Sequence, residues 1–287
     1  MLLFIGYVIV LGATLGGFLI AGGHPMLLMH ASEFIVIGGI ALGVVVISTP
    51  KDVLSKLMKQ IKESFKGSGV KSDEYLDLLK LLYELFLQAR RDGLIALDDH
   101  LSEPVNSAIL SKYPSFLNEP KRVEFLCNSL RPVIDGKIKP DQLQGLLDSE
   151  INAMREENKG PEGVIHLVGD SLPGIGIVAA VLGIINTMAA ISEGPEKVGE
   201  KVAAALTGTF LGILGAYGFI NPLGQRIQFN EEAHLMYYKV IAQSVTGFTK
   251  GLAPIMAIEV ARRTLGKAVD IGSDELEQIL KALNNKE

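Results

Sequence analysis

Two polar side chains lie within apolar stretches of the sequence and could take part in moving an ion. Asp170 lies three residues before Pro173, and Thr209 lies midway along the fourth apolar stretch. Ionisable and hydroxyl groups inside a membrane usually face water or the interior of a helix bundle. The alternative for Asp170 is an acid in a first helical turn at the membrane surface, and the alternative for Thr209 is a hydrogen bond to its own helix. No apolar stretch carries an acid near its centre, so a proton-binding carboxylate would have to belong to a partner chain.

The sequence lacks the residue patterns that most enzymes and metal sites use. It has no glycine-rich phosphate loop, no pair of metal ligands at helical spacing and no nucleophile elbow. Its single cysteine, Cys127, permits no intrachain disulfide, and the histidines are scattered. We therefore predict that the protein is not an enzyme, has no catalytic residue, and binds no metal and no cofactor.

Two prolines lie near one end of the third and of the fourth apolar stretch. Proline has no backbone N–H, so Pro173 and Pro222 leave the carbonyls of Gly169 and Gly218 without their usual helical donors. Each proline could bend its helix, and the alternative is that membrane helices merely tolerate it.

The elements that position these residues are four apolar stretches grouped in two pairs. Residues 171–192 and 202–222 contain no Asp, Glu, Lys or Arg, and each stretch is long enough to cross the ~30 Å hydrocarbon core as a helix. Small residues recur along both at spacings of three and four, which lets helices approach closely in lipid. They are Gly176, Ala180, Gly183 and Thr187 on the third stretch and Ala204, Gly208, Gly212 and Ala216 on the fourth.

The first pair of stretches comprises residues 2–22 and 34–49, and Pro50 ends the second of them. A cleaved signal peptide is a weak alternative for the first, because no basic region precedes it. The mean hydropathy of +0.32 with 21% charged residues fits a chain that lies partly in lipid and partly in water. The sequence predicts an all-α, polytopic membrane protein with four transmembrane helices and a large helical cytoplasmic region.

Lysine placement predicts the orientation of the chain. Residues 51–66 carry five lysines, whereas the connection at residues 24–32 has none. By the positive-inside rule, both termini and residues 51–165 are cytoplasmic. The predicted organisation is a membrane hairpin at 1–50, a helical cytoplasmic domain at 51–165, a second hairpin at 166–224 and a cytoplasmic helical tail at 225–287.

The charged segments predict few further partners. Residues 51–66 have an apolar face surrounded by lysines, which favours an amphipathic helix lying against neighbouring helices or lipid headgroups. The formal charge of −5 indicates no nucleic-acid partner.

Four segments, in order along the chain, resemble the MotA family of flagellar stator subunits. They are ARRDGLIALDDHLSEP, GDSLPGIGIVAAVLGII, TGTFLGILGAYGFINPL and LAPIMAIEVARRTL, and the resemblance covers essentially the whole chain. It implies a bacterial inner-membrane protein that forms a pentamer around a dimer of MotB, whose membrane aspartate binds the ion. Ion flow would turn the pentamer, and its cytoplasmic region would push on the rotor protein FliG.

The resemblance also implies roles for single residues. Arg90 matches the basic residue that engages charged groups on FliG, and Arg91 beside it could share that role. Asp98 matches the acidic site of the same contact, where most members of the family have a glutamate. Pro173 and Pro222 match the two prolines that couple ion movement to a change of shape.

The remaining implied roles concern the ion. Asp170 and Thr209 match polar residues beside the MotB aspartate. Sodium-driven relatives carry Thr where Ala180 stands, and alanine offers no oxygen to a sodium ion that has lost its water. The resemblance therefore implies a proton as the transported ion, with sodium as the alternative.

Two other functions remain open from the sequence. An energiser of the TolQ or ExbB type would resemble this chain only in its last two spans, and would have three spans. A passive membrane scaffold would use its prolines and glycines for packing alone. These alternatives differ in the number of spans and in whether Pro173 serves coupling or assembly.

Overall fold

The structure is a computed structural model, and it describes residues 2–67, 69–189, 192 and 194–284. The α-helices are α1 Leu2–Ile20, α2 Ala31–Ser48, α3 Lys51–Lys66, α4 Ser72–Asp92, α5 Asp98–Ser102, α6 Pro114–Leu117, α7 Pro120–Ile134, α8 Pro140–Ala189, α9 Pro195–Leu214, α10 Asn221–Thr249, α11 Pro254–Leu265 and α12 Ser273–Asn284. Short 3₁₀ turns span Pro25–Leu28, Leu94–Leu97, Pro104–Asn106, Leu110–Lys112 and Gly266–Ala268, and a π-helical segment spans Gly215–Ile220. Within the described ranges there is no β-strand.

Four helical segments are long and apolar enough to cross a membrane. They are Leu2–Ile20, Pro25–Ser48, Pro140–Met188 and Pro195–Thr249. The all-α fold class with four transmembrane helices is thereby confirmed. Residues 190 and 191, at the end of the predicted third span, lie outside the described residues.

The helices group into two compact units. The membrane unit consists of Met1–Ser68 and Asn158–Asn230, and the helical unit consists of Gly69–Glu157 and Glu231–Glu287. The domain boundaries predicted at 50, 165 and 224 stay predictions.

Two small apolar clusters hold the membrane unit together. One contains Ile37, Leu172, Ile175, Ala179 and Ala216, and the other contains Leu57, Val164, Ile165, Leu223 and Ile227. The helix α1 has no buried residue, as expected for apolar side chains that face lipid. The amphipathic helix α3 contributes Leu57 to the second cluster, and its buried Ser64 accepts a hydrogen bond from the Asn230 amide at 3.2 Å.

The helical unit has a larger core, built around α4. The rings of Phe86 on α4 and Phe248 on α10 stack with centroids 4.4 Å apart. The buried guanidinium of Arg122 on α7 donates to the Glu74 carboxylate at 2.8 Å and lies 4.1 Å above the ring of Tyr237. A buried charge needs such partners to offset its lost hydration, and here they join residues from both halves of the unit.

Candidate functional site

The third and fourth membrane segments, in α8 and α9, pack backbone against backbone. A Cβ atom added to Gly212 would lie 2.6 Å from the Leu172 carbonyl oxygen and 2.8 Å from the Gly176 Cα. A Cβ added to Gly183 would lie 2.8 Å from the Cβ of Ala205. Real side chains cannot occupy such space, so glycine at these positions sets the distance between the helices.

The structure places two of the three predicted ion-path residues at this interface. Ala180 is buried, and its backbone nitrogen lies 3.2 Å from a Cβ built on Gly208. Thr209 is half-buried, with its Cα 3.3 Å from a Cβ built on Gly176.

The third predicted residue, Asp170, lies apart from these two. It is exposed on α8, ten residues before Ala180, which corresponds to about 15 Å along a helix. The structure therefore brings Ala180 and Thr209 to one helix interface but does not bring Asp170 to it.

Pro173 lies in the interior of α8, and the helix continues through it. Because Pro173 has no N–H, the carbonyl of Gly169 has no helical donor. Gly169 also has no room for a side chain, because a Cβ there would overlap the Asn221 side-chain oxygen. That oxygen is buried and accepts no hydrogen bond from the part of the chain that the structure describes. The two proline regions are therefore in direct contact through Gly169 and Asn221.

Pro222 follows a change of helical register that the sequence did not predict. Residues Gly215–Ile220 form a π-helix, and the N–H of Asn221 bonds to the carbonyl of Ala216, five residues earlier. Single π turns of this kind occur often at functional sites. The fourth span thus has its irregular segment immediately before Pro222.

The residues predicted to face the rotor lie on the surface of the helical unit. Arg90 and Arg91 are exposed in the last turn of α4, and Asp98 is exposed at the start of α5. Gly93 ends α4 with φ of +88°, a backbone conformation that favours glycine, and the 3₁₀ turn Leu94–Leu97 leads from it to α5. The structure therefore places these three charged residues on two helices that are separated by Gly93 and one 3₁₀ turn.

The segment that carries Asp98 is tied to α4 and α7 by side chains that the sequence did not single out. The His100 ring nitrogens lie 2.7 Å from the Ser107 hydroxyl and 2.8 Å from the Gln88 side-chain oxygen. The Arg131 guanidinium donates to the Leu101 carbonyl at 2.8 Å. These bonds fix residues 98–107 against the helix that carries Arg90, and their partners are too distant in sequence to show as a motif.

Comparison with known proteins connects this geometry to one family. Residues 4–93 match the model of the motility protein A N-terminal region, and residues 118–239 match the MotA/TolQ/ExbB proton channel family. Motility protein A of Salmonella typhimurium is 33% identical over 285 residues, which cover 99% of this chain and 97% of that protein. The chain belongs to the motility protein A family.

Other members and solved structures agree with this assignment. Motility protein A of Escherichia coli is 32% identical over 99% of this chain and 97% of its own length. The structure of C. jejuni MotAB matches with a TM-score of 0.77 and 25% identity, over 94% of this chain and 97% of that one. The flagellar MotAB stator complex of Bacillus subtilis has the same fold, with a TM-score of 0.72 at 22% identity, over 92% and 93% of the two chains.

Membership in the motility protein A family decides between the functions that the sequence left open. The chain is a membrane protein and a stator subunit of the flagellar motor. The similarity includes the first two spans and the loop up to Gly93, where an energiser of the TolQ or ExbB type was expected to differ. The family is one of proton channel stator subunits and is not a known enzyme family.

Proposed function

We propose that this chain assembles as a pentamer around a dimer of MotB in the bacterial inner membrane, where proton flow turns the pentamer and drives the rotor protein FliG. Both termini and residues 51–165 lie in the cytoplasm. The observation that carries the proposal is the glycine-lined interface of α8 and α9, at which both Ala180 and Thr209 lie. The similarity to MotAB over nearly the whole chain supports MotB as the partner.

The proton path runs beside Ala180 and Thr209 to an acid of MotB. The side chain of Ala180 contributes no oxygen atom, and that of Thr209 contributes one hydroxyl. A sodium ion without water requires several oxygen ligands, as hard cations do in general, whereas a proton requires only the carboxylate. Asp170, about three turns away along α8, is proposed to act at the exit of this path.

Coupling to rotation is assigned to Pro173 and Pro222. Each removes one backbone donor, so its helix can bend at lower cost than a helix with a complete hydrogen-bond ladder. The contact between Gly169 and Asn221 joins the two bends, and a change at one proline is therefore transmitted to the other.

Contact with the rotor is assigned to Arg90, Arg91 and Asp98. They are exposed, they carry both signs of charge, and they lie within nine residues of the chain in the helical unit, from the end of α4 to the start of α5. Such a surface favours electrostatic recognition of a partner with complementary charges.

The experiment that tests the proposal measures rotation of tethered cells that lack their own stator and are supplied with this chain and its MotB. External sodium is replaced by potassium at fixed pH, and a protonophore is then added. Rotation that persists without sodium and stops with the protonophore is the expected result. Rotation that stops without sodium contradicts the assignment of the ion. Absence of rotation in cells whose membranes contain the complex, and whose rotor accepts other stators, contradicts the motor role.

A further inference from the structure

The hydroxyl of Tyr7 reaches across from α1 to the irregular segment of the fourth span. It donates a hydrogen bond to the backbone carbonyl of Phe219 at 3.0 Å, and the rings of these two residues have centroids 4.9 Å apart. The same Tyr7 ring lies 6.1 Å from the ring of Phe65, near the end of α3. One side chain therefore contacts two other elements of the membrane unit.

The carbonyl that Tyr7 binds lies in the π-helix, beside a defect of the helical hydrogen-bond ladder. The N–H of Asn221 bonds five residues back, to Ala216, in the π register. The next residue, Pro222, has no N–H, so it donates neither to Gly218 in the α register nor to Tyr217 in the π register. The main chain therefore lacks a donor for Gly218 or Tyr217, the residues directly before Phe219.

The Tyr7 hydroxyl supplies a donor beside this defect, where lipid supplies none. Backbone carbonyls at membrane depth have to be satisfied within the protein. Prolines in membrane helices are tolerated where neighbouring groups support the altered backbone, and the Tyr7 hydroxyl supports it through the carbonyl of Phe219, the residue that follows Gly218.

The helix α1 fits closely against the same segment. A Cβ atom built on Gly218 would lie 3.0 Å from a methyl group of Val10, which is about one turn after Tyr7 on α1. The side of α1 that carries Tyr7 and Val10 is thus held against the π-helix by both packing and a hydrogen bond.

We propose that Tyr7 is a positioning residue for coupling: its hydrogen bond to Phe219 holds Gly215–Ile220 in the π register and so fixes where the fourth span bends at Pro222. The inference rests on the proposed coupling role of Pro222. Without the hydroxyl, the segment exchanges between registers, and each ion transferred yields less rotation. Assembly of the complex does not depend on the bond, because the ring contacts remain.

The test uses Tyr7→Phe in the full chain, co-expressed with MotB in cells that lack a stator. Tyr217→Phe is the matched control, since it also removes one tyrosine hydroxyl and Tyr217 is 65% exposed in the same π segment. Two quantities are measured on tethered cells: the number of stator complexes per motor, from a fluorescent label on MotB, and the increase in speed as each complex joins. Pro222→Ala is measured in parallel.

In the expected result, Tyr7→Phe lowers the speed increment per complex by about 2- to 10-fold, the factor that one net hydrogen bond contributes to an equilibrium. The number of complexes stays at the wild-type value, and Tyr217→Phe leaves both quantities unchanged. A normal increment with fewer complexes would show a purely structural role for Tyr7 and overturn the proposal. An increment equal to that of Tyr217→Phe would also overturn it.

The Pro222→Ala variant distinguishes failure of the role of Tyr7 from failure of the coupling role of Pro222. If Pro222→Ala loses rotation while Tyr7→Phe behaves like its control, the coupling role of Pro222 stands and the role of Tyr7 is wrong. If Pro222→Ala rotates normally, the coupling role fails, and the inference about Tyr7 fails with it.

Discussion

Glycine 212 shows how a single residue sets the geometry of the candidate ion path. Its Cα is opposed to the Leu172 carbonyl and to Gly176 at distances that leave no room for a methyl group. Any side chain there separates the two helices, and this moves Thr209 away from Ala180. The size of the residue at position 212 therefore determines the distance between the two helices that carry Ala180 and Thr209.

We expect Gly212→Ala to destabilise the packing of α8 on α9 by about 1–3 kcal/mol, the usual range for overpacking a close contact. Gly199→Ala in the same helix is the control, because a Cβ there meets no atom within 4 Å. Thermal unfolding of the detergent-purified complex measures the difference. Equal melting temperatures for the two variants would contradict the tight packing described here.

The charge of Arg90 supports a second prediction, for binding to FliG. Arg90→Glu should weaken binding at low salt, and raising salt should weaken wild-type binding towards the level of the variant, since exposed charges are screened over ~8–10 Å at 0.1–0.15 M ionic strength. Lys121→Glu, at an exposed position on α7, controls for the change in net charge. Titration of purified complex with FliG provides the measurement, and binding that is insensitive to both salt and Arg90→Glu would remove this residue from the contact.

The sequence predicted most residues of the interface between the third and fourth spans, but not all of them. The spacing of small residues predicted the stripe on both spans, and Gly176, Gly183, Gly208 and Gly212 lie at the interface. Ala204 was placed on that stripe, but Ala205 is the residue that contacts Gly183 and is 2% exposed, whereas Ala204 is half-buried. Spacings of three and four residues are both compatible with one helix face, so the pattern alone could not choose between two adjacent alanines.

At the scale of elements, the segment from Gly93 to Ser107 gains its order from bonds to other elements. It contains only short helical turns, which are marginal by themselves. His100 links it to Gln88 on α4, and Arg131 on α7 binds the carbonyl of Leu101. The position of Asp98 therefore depends on side chains outside the proposed rotor contact.

We expect His100→Ala to accelerate amide hydrogen exchange in residues 94–107. The substitution removes two side-chain hydrogen bonds, each with a net contribution of about 0.5–1.5 kcal/mol, so local opening becomes easier. Exchange followed by mass spectrometry on the intact complex measures the effect, with Asp99→Asn as the control at the exposed neighbouring position. Unchanged exchange in this segment would show that packing alone, without His100, holds Asp98 in place.

Elements differ in how well their sequences predict them. The four apolar stretches predicted the membrane-spanning helices because length and apolarity are direct consequences of the bilayer. The π-helix at Gly215–Ile220 has no comparable signal: its residues, GAYGFI, are as apolar as an ordinary span. Its register depends on the contact with α1 through Tyr7 and Val10, more than 200 residues earlier in the chain.

At the scale of the molecule, residues far apart in sequence build one core in the helical unit. The sequence assigned residues 51–165 and 225–287 to separate segments, whereas Gly69–Glu157 and Glu231–Glu287 pack as one unit. Tyr75 shows the connection, since its hydroxyl donates to the carbonyl of Ala233 at 2.9 Å. Patterns along a chain report which faces are buried but not which distant segment covers them, so this pairing required the structure.

Tyr75 of this shared core predicts how stability depends on alkaline pH. Burial raises the pKa of Tyr75 to about 12. An unfolded chain releases this proton near pH 10, so between pH 10 and 12 the folded state holds more of it than the unfolded state. Titration of Tyr75 therefore leaves the free energy of unfolding unchanged below about pH 10 and lowers it as the pH rises through about 12.

We expect the melting temperature of the purified complex to fall between pH 10 and 12, and Tyr75→Phe to reduce the steepness of that fall. One such group changes the unfolding free energy by at most about 1.4 kcal/mol per pH unit. Lysines titrate in the same range in both proteins, so the difference between the two slopes is the informative quantity. Parallel slopes for wild type and Tyr75→Phe would show that the Tyr75 hydroxyl is not protected in the folded core, and that the contact with Ala233 does not persist in solution.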